Sequence, residues 1–155
     1  CIDPRKTETA DKCHQHIALL PGTDGAFALG EMGQHTSNAG RVYFPSGTPD
    51  LDDIRDGALD IPGSVERELE EETGLAPADY RSDADWHCIS TGAAVAMIRI
   101  LHVDMPGEAL RRRIEGNLAT QQSPELSAIH LVRGTHDLNS AMPRFVTAFL
   151  EKQFA

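Results

Sequence analysis

The nine residues Arg67-Glu68-Leu69-Glu70-Glu71-Glu72-Thr73-Gly74-Leu75 constrain this chain more than any other stretch of it. Read as a helix, the segment carries a full set of boundary signals. Asp60 is a good N-cap, Pro62 is tolerated in the first turn, and Gly74 stands where a left-handed residue ends a helix. Ile61, Val65 and Leu69 recur every four residues and form one apolar stripe. At about 100° per residue, Glu68, Glu71 and Glu72 share a neighbouring face, while Glu66 and Glu70 point to solvent. Such a helix must lay its stripe on a core and hold three carboxylates beside it.

Like charges three or four residues apart on a helix repel, so that face calls for a counter-charge. The simplest is a divalent ion. Three hard oxygen donors suit Mg2+ or Mn2+ better than Zn2+, which favours His and Cys. Mg2+ usually keeps waters and shares substrate phosphates, so the pattern points to a phosphorylated substrate. Arg67 can hold one of the carboxylates by a bidentate contact. A Glu-rich helix is also the ordinary form of a solvated surface helix, and spacing alone leaves that alternative standing.

The same nine residues resemble the second half of the Nudix box. The full pattern is Gly, five residues, Glu, seven residues, then Arg-Glu-U-x-Glu-Glu-x-Gly-U, where U is a bulky aliphatic residue. Every fixed position of that half is matched here, and Phe44-Pro45-Ser46-Gly47 is similar to the Phe-Pro-Gly-Gly that leads into the box. The first half departs. Counting back from Arg67 puts Leu59 where the family has its isolated Glu, and Asp53 where it has Gly. With Gly47 as the equivalent glycine, the loop to Leu59 is six residues longer than the family's. The insertion, Thr48 to about Gly57, carries Asp52, Asp53 and Asp56, and Asp53 or Asp56 is the candidate to replace the missing carboxylate.

The resemblance implies an α/β fold: a mixed sheet in a Nudix-like α/β/α sandwich, as one domain over residues 1–155. It implies metal-dependent hydrolysis of the pyrophosphate bond of a nucleoside diphosphate linked to another moiety. Glu68, Glu71, Glu72 and the backbone carbonyl at Gly47 would hold Mg2+ or Mn2+. Arg67 would orient this set, and Glu71 or Glu125 would take the proton, since Nudix proteins often place an extra carboxylate in a late loop. His35-Thr36-Ser37-Asn38-Ala39-Gly40 is similar to a loop of Nudix proteins acting on nucleotide sugars. That gives a slight preference for such substrates and makes His35, Asn38 and Arg41 candidate substrate contacts. Tyr80 joins them as a ring able to stack on a base, whereas Trp86 reads as packing. A homodimer fits the family, with no interface legible in the chain. Two other readings stand beside this one. One is an inactive Nudix-fold binding module, which the absence of Glu at Leu59 favours. The other is a structural domain with a merely solvated acidic helix.

A formal net charge of −10 argues against nucleic-acid polymers and anionic membranes as partners. Cys1, Cys13 and Cys88 are odd in number and irregularly spaced, so a disulfide framework is not expected and a reducing, cytoplasmic setting is. The apolar run over 93–98 is far too short to span a membrane, and no charged-then-apolar leader is legible. The remaining pattern predicts strands over 14–20, 26–32, 41–44, 86–90, 93–103 and 127–132, and helices over 108–120 and 142–154. Residues 1–12 read as a loose lead-in and 76–85 as a loop. Arg111, Arg112 and Arg113 read as a solvated helix face, His14 and His16 as solvated strand residues that could bind metal, His130 as structural and Cys88 as buried packing.

Overall fold

Strand β1 (Cys13–Pro21) sets the architecture, because its alternate side chains serve two different layers. Ile17 and Leu19 turn to one side of the sheet and Ala18 and Leu20 to the other, and all four are buried. A strand apolar on both faces belongs at the centre of a covered sheet. The computed structural model, which describes residues 13–90 and 94–155, places it there. β1 runs antiparallel to β2 (Phe27–Met32) at its far end, and parallel to β8 (Ala94–Val103) from Cys13↔Ala94 to Leu19↔Ile100. β3 (Val42–Tyr43) and β9 (Leu126–Val132) pair with β2, β4 (Ser46–Gly47) with β1, and β7 (Tyr80–Ser90) with β8. The result is a seven-stranded mixed sheet. A separate hairpin, β5 (Ile54–Arg55) with β6 (Ala58–Leu59), stands apart from it.

Helices cover both faces. α1 (Ile61–Thr73) and α2 (Gly107–Leu118) pack Val65, Leu69, Leu110, Ile114 and Leu118 onto Ala18, Leu20, Leu101 and Val103. α3 (Arg144–Gln153) packs Val146, Phe149 and Leu150 onto Ile17, Leu19, Leu29 and Ile98. This is the expected α/β/α sandwich with a mixed sheet. α1 begins and ends where its signals lie: the Asp60 carboxylate accepts from the Gly63 N–H at 3.1 Å, and Gly74, at φ 73°, donates its N–H to the Glu70 carbonyl. Burying Val65 and Leu69 stabilises by roughly 1.5–3 kcal/mol each, against a few tenths for each exposed like-charge pair, so packing overrides repulsion along α1.

Several expectations need correction. Residues 80–85, read as loop, begin strand β7. Their polarity misleads because β7 is an edge strand, paired among the described residues only with β8, and an edge tolerates polar and charged residues. A register break between Ser82 and Trp86 is bridged by side chains, with Arg99 Nε donating to the Asp83 carbonyl at 2.8 Å. Cys88, read as buried, is exposed. Its neighbour His87 takes the covered face, edge-on to Phe149 at 5.6 Å, which turns Cys88 outward. The insertion is not a plain loop: Asp50 caps a 3-10 turn over Leu51–Asp53, and the β5–β6 hairpin follows. Arg111 pairs with Glu108 and Arg113 with Asp79, in keeping with a solvated face. The lead-in of residues 1–12 lies outside the described residues. Among the described residues no helix is long and apolar enough to cross a membrane.

Candidate active site

Because α1 lays Val65 and Leu69 on the sheet, its next face turns Glu68, Glu71 and Glu72 toward β4 and the segment before β9. With Gln121, Ser123 and Glu125 these three acids line a cavity of about 190 Å3. Glu72 is the deepest, 7% exposed, and accepts the Ser46 N–H at Oε2 across 3.1 Å. Burial pushes its carboxyl up to about 8, and the charges of Glu125, Glu68 and Glu71 add to the effect against the Ser46 amide. Burial also raises Glu68, with Arg67 opposing.

Arg67 is shared. Its Nη1 lies 2.9 Å from Glu68 Oε1 and 3.6 Å from Glu71 Oε1, and its Nη2 donates to Asp53 Oδ1 at 3.0 Å. Asp53 is only 4% exposed. Burial alone would raise it, but the Asp50 amide, Arg67 and the Ser64 hydroxyl hold it down at about 2. So Asp53, of the two aspartates considered, meets Arg67, while Leu59 stands 45% exposed on β6 and Asp56 sits in the hairpin turn at φ 52°.

Behind Asp53, His16 Nε2 lies 2.8 Å from Ser64 Oγ, and each of these two residues is 1% exposed. The reading of His16 as a solvated strand residue is therefore wrong. β1 is central, and His16, Ala18 and Leu20 face α1. The His14 side chain lies outside the described residues. Gly47 sits opposite His16 in the register, and a Cβ at 47 would fall 2.5 Å from Glu68 Cγ. Only glycine lets that backbone come so close to the acidic face.

The donor set fits a hard divalent ion. Four carboxylates border one cavity, and burial and then its acidic neighbours disfavour the deepest as an anion. They are not a preassembled cage: among the described residues no three His, Cys, Asp or Glu side chains converge on one point. Arg67 reaches between Glu68 and Glu71, and the Glu71 side chain is mostly in solvent.

A second cavity of about 210 Å3 is lined by Asn38, Arg41, Gln15, Tyr43, Pro143 and Phe145. Tyr43, on the wall of this second cavity, feels the acids of the first. Burial, and then the charges of Glu72 and Glu125, raise its phenol, and Asn38 Nδ2 donates to its Oη at 3.2 Å. His35 folds back on Gly33, whose N–H donates to the Glu125 carbonyl at 2.7 Å, so its loop is tied to the Glu125 segment. Tyr80 is not brought to this group. It opens β7, packs against the α1–α2 core and feels Glu66 and Glu70 on the other flank of α1. Sequence reasoning missed Tyr43, Gln15 and Ser64. Tyr43 adjoins the Phe44-Pro45 landmark, but a two-residue strand gives no periodicity, and Ser64 reads as an ordinary first-turn serine.

No family model matches the sequence, and no curated protein matches it. Solved structures do. The MutT protein from Methanosarcina mazei Go1 is 20% identical, with 91% of each chain covered and a TM-score of 0.54. The Nudix hydrolase RenU from M. smegmatis is 13% identical over 92% of this chain and 82% of its own, at a TM-score of 0.57. An Ap4A hydrolase from C. elegans is 12% identical over 79% of this chain and 81% of its own, at a TM-score of 0.55. The chain has the Nudix fold. In this version of the Nudix fold, the matched half of the box runs from Arg67 in α1 through its Gly74 cap to Leu75, and the Phe44–Gly47 stretch delivers β4 to Glu72 and Glu68.

Proposed function

We propose that this chain is a metal-dependent hydrolase cleaving the pyrophosphate bond of a nucleoside diphosphate linked to another moiety, with nucleotide sugars the favoured class. The observation that carries the proposal is that Glu68, Glu71, Glu72 and Glu125 line one cavity, with Glu72 driven up to about 8. Mg2+ or Mn2+, held by Glu68, Glu71, Glu72 and the Gly47 carbonyl, would supply phosphate-charge neutralisation and a bound water of lowered pKa.

The chain's own residues do the rest. The Ser46 N–H fixes the direction of Glu72. Arg67 ties Glu68 to Asp53 and so limits the swing of the acidic face. Glu71 and Glu125 both reach solvent and are the two candidates to accept the proton of an attacking water. In the second cavity, the Arg41 cation and the Asn38 amide suit a phosphate or sugar hydroxyl, with Tyr43 and Phe145 as apolar walls. The name of the C. elegans neighbour, an Ap4A hydrolase, supports a nucleotide-derived substrate. A cytoplasmic setting belongs to this reading, in keeping with three irregularly spaced cysteines. The Arg67–Asp53 pair favours this reading over an inactive module, since the carboxylate missing at Leu59 is supplied from the insertion.

The test is to incubate the protein with Mg2+ or Mn2+ and a panel of nucleotide sugars, ADP-ribose and dinucleotides, and to measure released phosphomonoesters. Release that ceases in Glu72→Gln supports the proposal. No release from any panel member with either metal ends it.

A further inference from the structure

Of the six residues that line the acidic cavity, four are carboxylates, and the other two are Gln121 and Ser123. The difference matters to a phosphate. With a divalent cation among them, the four acids are anions and can only accept hydrogen bonds. They then face the oxygens of a bound diphosphate as like charges. Arg67 stands outside that lining and is engaged by Asp53, Glu68 and Glu71. The Ser46 N–H is taken by Glu72. Among the described residues that line the cavity, the side chains left with protons to give are the Gln121 amide and the Ser123 hydroxyl.

The fold holds both in place. Asn117, near the end of α2, sits against the Gly74 cap of α1, where a Cβ would fall 2.5 Å from Asn117 Cγ. Just beyond the end of α2, Gln121 Nε2 donates to the Glu71 carbonyl at 3.0 Å. A carbonyl accepts and cannot donate, so the amide nitrogen and not its oxygen must face Glu71. That bond uses one N–H of the amide and fixes the plane in which the other lies. Further along the segment, the Glu125 carbonyl accepts the Gly33 N–H at 2.7 Å. Ser123 lies between these two ties, on a stretch of chain held at both ends.

We propose that the second Gln121 N–H and the Ser123 hydroxyl bind the phosphoryl oxygens that the metal leaves free, so that this pair admits a diphosphate to a cavity otherwise walled by acids. The ligand is taken from the hydrolase reading, on which this inference rests. What the pair adds is selection. A bare cation satisfies the carboxylates, whereas a cation carrying a diphosphate satisfies the two donors as well. Replacing either donor leaves the carboxylates whole and removes a charge-assisted contact to phosphate, which lowers diphosphate affinity about tenfold.

The probe is imidodiphosphate, whose bridging N–H replaces the oxygen that hydrolysis would cleave. In nitrogen-15 spectra of the Mg2+-saturated wild type, adding imidodiphosphate should move the Gln121 side-chain amide signals. Signals that stay in place overturn the proposal, whether or not any variant folds. Mn2+ alone should bind Gln121→Leu and Ser123→Ala with close to wild-type affinity. Imidodiphosphate, titrated in saturating Mn2+, should bind each of them about tenfold more weakly. Ser123→Thr, which keeps the hydroxyl, should bind it like the wild type. Gln121→Glu should hold Mn2+ at least as tightly as the wild type and still lose the diphosphate. Wild-type affinity for imidodiphosphate in folded Gln121→Leu and Ser123→Ala overturns the proposal. So does an equal loss of Mn2+ and diphosphate affinity, which would place the two residues in the metal site instead. If the shift and the selective losses appear while the wild type cleaves nothing on the panel, the donor pair stands and the hydrolase reading falls. Turnover on the panel that neither substitution changes leaves the hydrolase reading and sinks the pair.

Discussion

Ser46 donates its backbone N–H to Glu72 Oε2 across 3.1 Å, joining a two-residue strand to the most buried acid of α1. That bond favours the ionised carboxylate, and it is outmatched. Burial, then Glu125 and Glu68, push Glu72 in the other direction. The site is thus electrostatically frustrated, which is unfavourable for stability and favourable for capturing a cation.

The first expectation concerns pH. A carboxyl raised from 4.5 to about 8 stabilises the fold fully only below its unfolded value, and that contribution is lost as pH rises through 8. In chelator, the melting temperature should therefore fall between pH 5 and pH 8 by at least ~2–4 °C, the equivalent of about 1 kcal/mol. Mg2+ should abolish the slope by binding the folded state. Thermal melts at four pH values, with and without Mg2+, check this, and a flat profile in chelator contradicts it.

Glu72→Gln removes the frustrated charge while keeping an oxygen for the Ser46 N–H. It should melt at or above the wild-type temperature in chelator at pH 8, gain little from Mg2+, and lose metal-dependent turnover by at least ~100-fold. Differential scanning calorimetry beside a phosphate-release assay separates the two effects.

Asp53 carries the reverse sign. Held at about 2, it contributes stability that is present above its unfolded value of 3.8 and lost as pH falls toward 2. Asp53→Asn should cost about 2 kcal/mol at pH 7, a deficit that narrows steadily below pH 4. Urea unfolding across that range reads it directly.

Gly47→Ala puts a methyl 2.5 Å from Glu68 Cγ. The flexible acid gives way rather than the backbone, so the loss should appear in turnover, about tenfold or more, with little change in melting temperature. A comparable loss of both would point to a backbone rearrangement instead.

Arg41→Ala should raise KM about tenfold, the loss of one charge-assisted contact, while leaving kcat near wild type. A fall in kcat with unchanged KM would mean that the second cavity does not hold the ground-state substrate.

Much of this was legible because it was local. Asp60, Pro62, the four-residue stripe and Gly74 define α1 within fifteen residues, and its acidic face follows from helix geometry alone. Glu125 could be named only by resemblance, since nothing near it in sequence says that it meets Glu72. Asp53 was one of two candidates, and what chose it was the capped turn of Asp50 to Asp53, which buries the carboxylate against Arg67. Polar composition hid β7, whose place at the edge of the sheet is a property of pairing. Tyr80 was misplaced for the same reason. His16 was misread because a histidine on a strand says nothing of which layer lies above it.

From His16 to Leu20, β1 sends odd-numbered residues to α3 and even-numbered ones to α1. A slip of one position would therefore do two kinds of damage at once: Ile17 would face Ser64, and His16 would be driven among the aromatic residues beneath α3. Stability and chemistry share a single reading frame here. A misthreaded molecule would be inert as well as unstable, and tolerance of insertions or deletions within β1 before Leu20 should be close to nil.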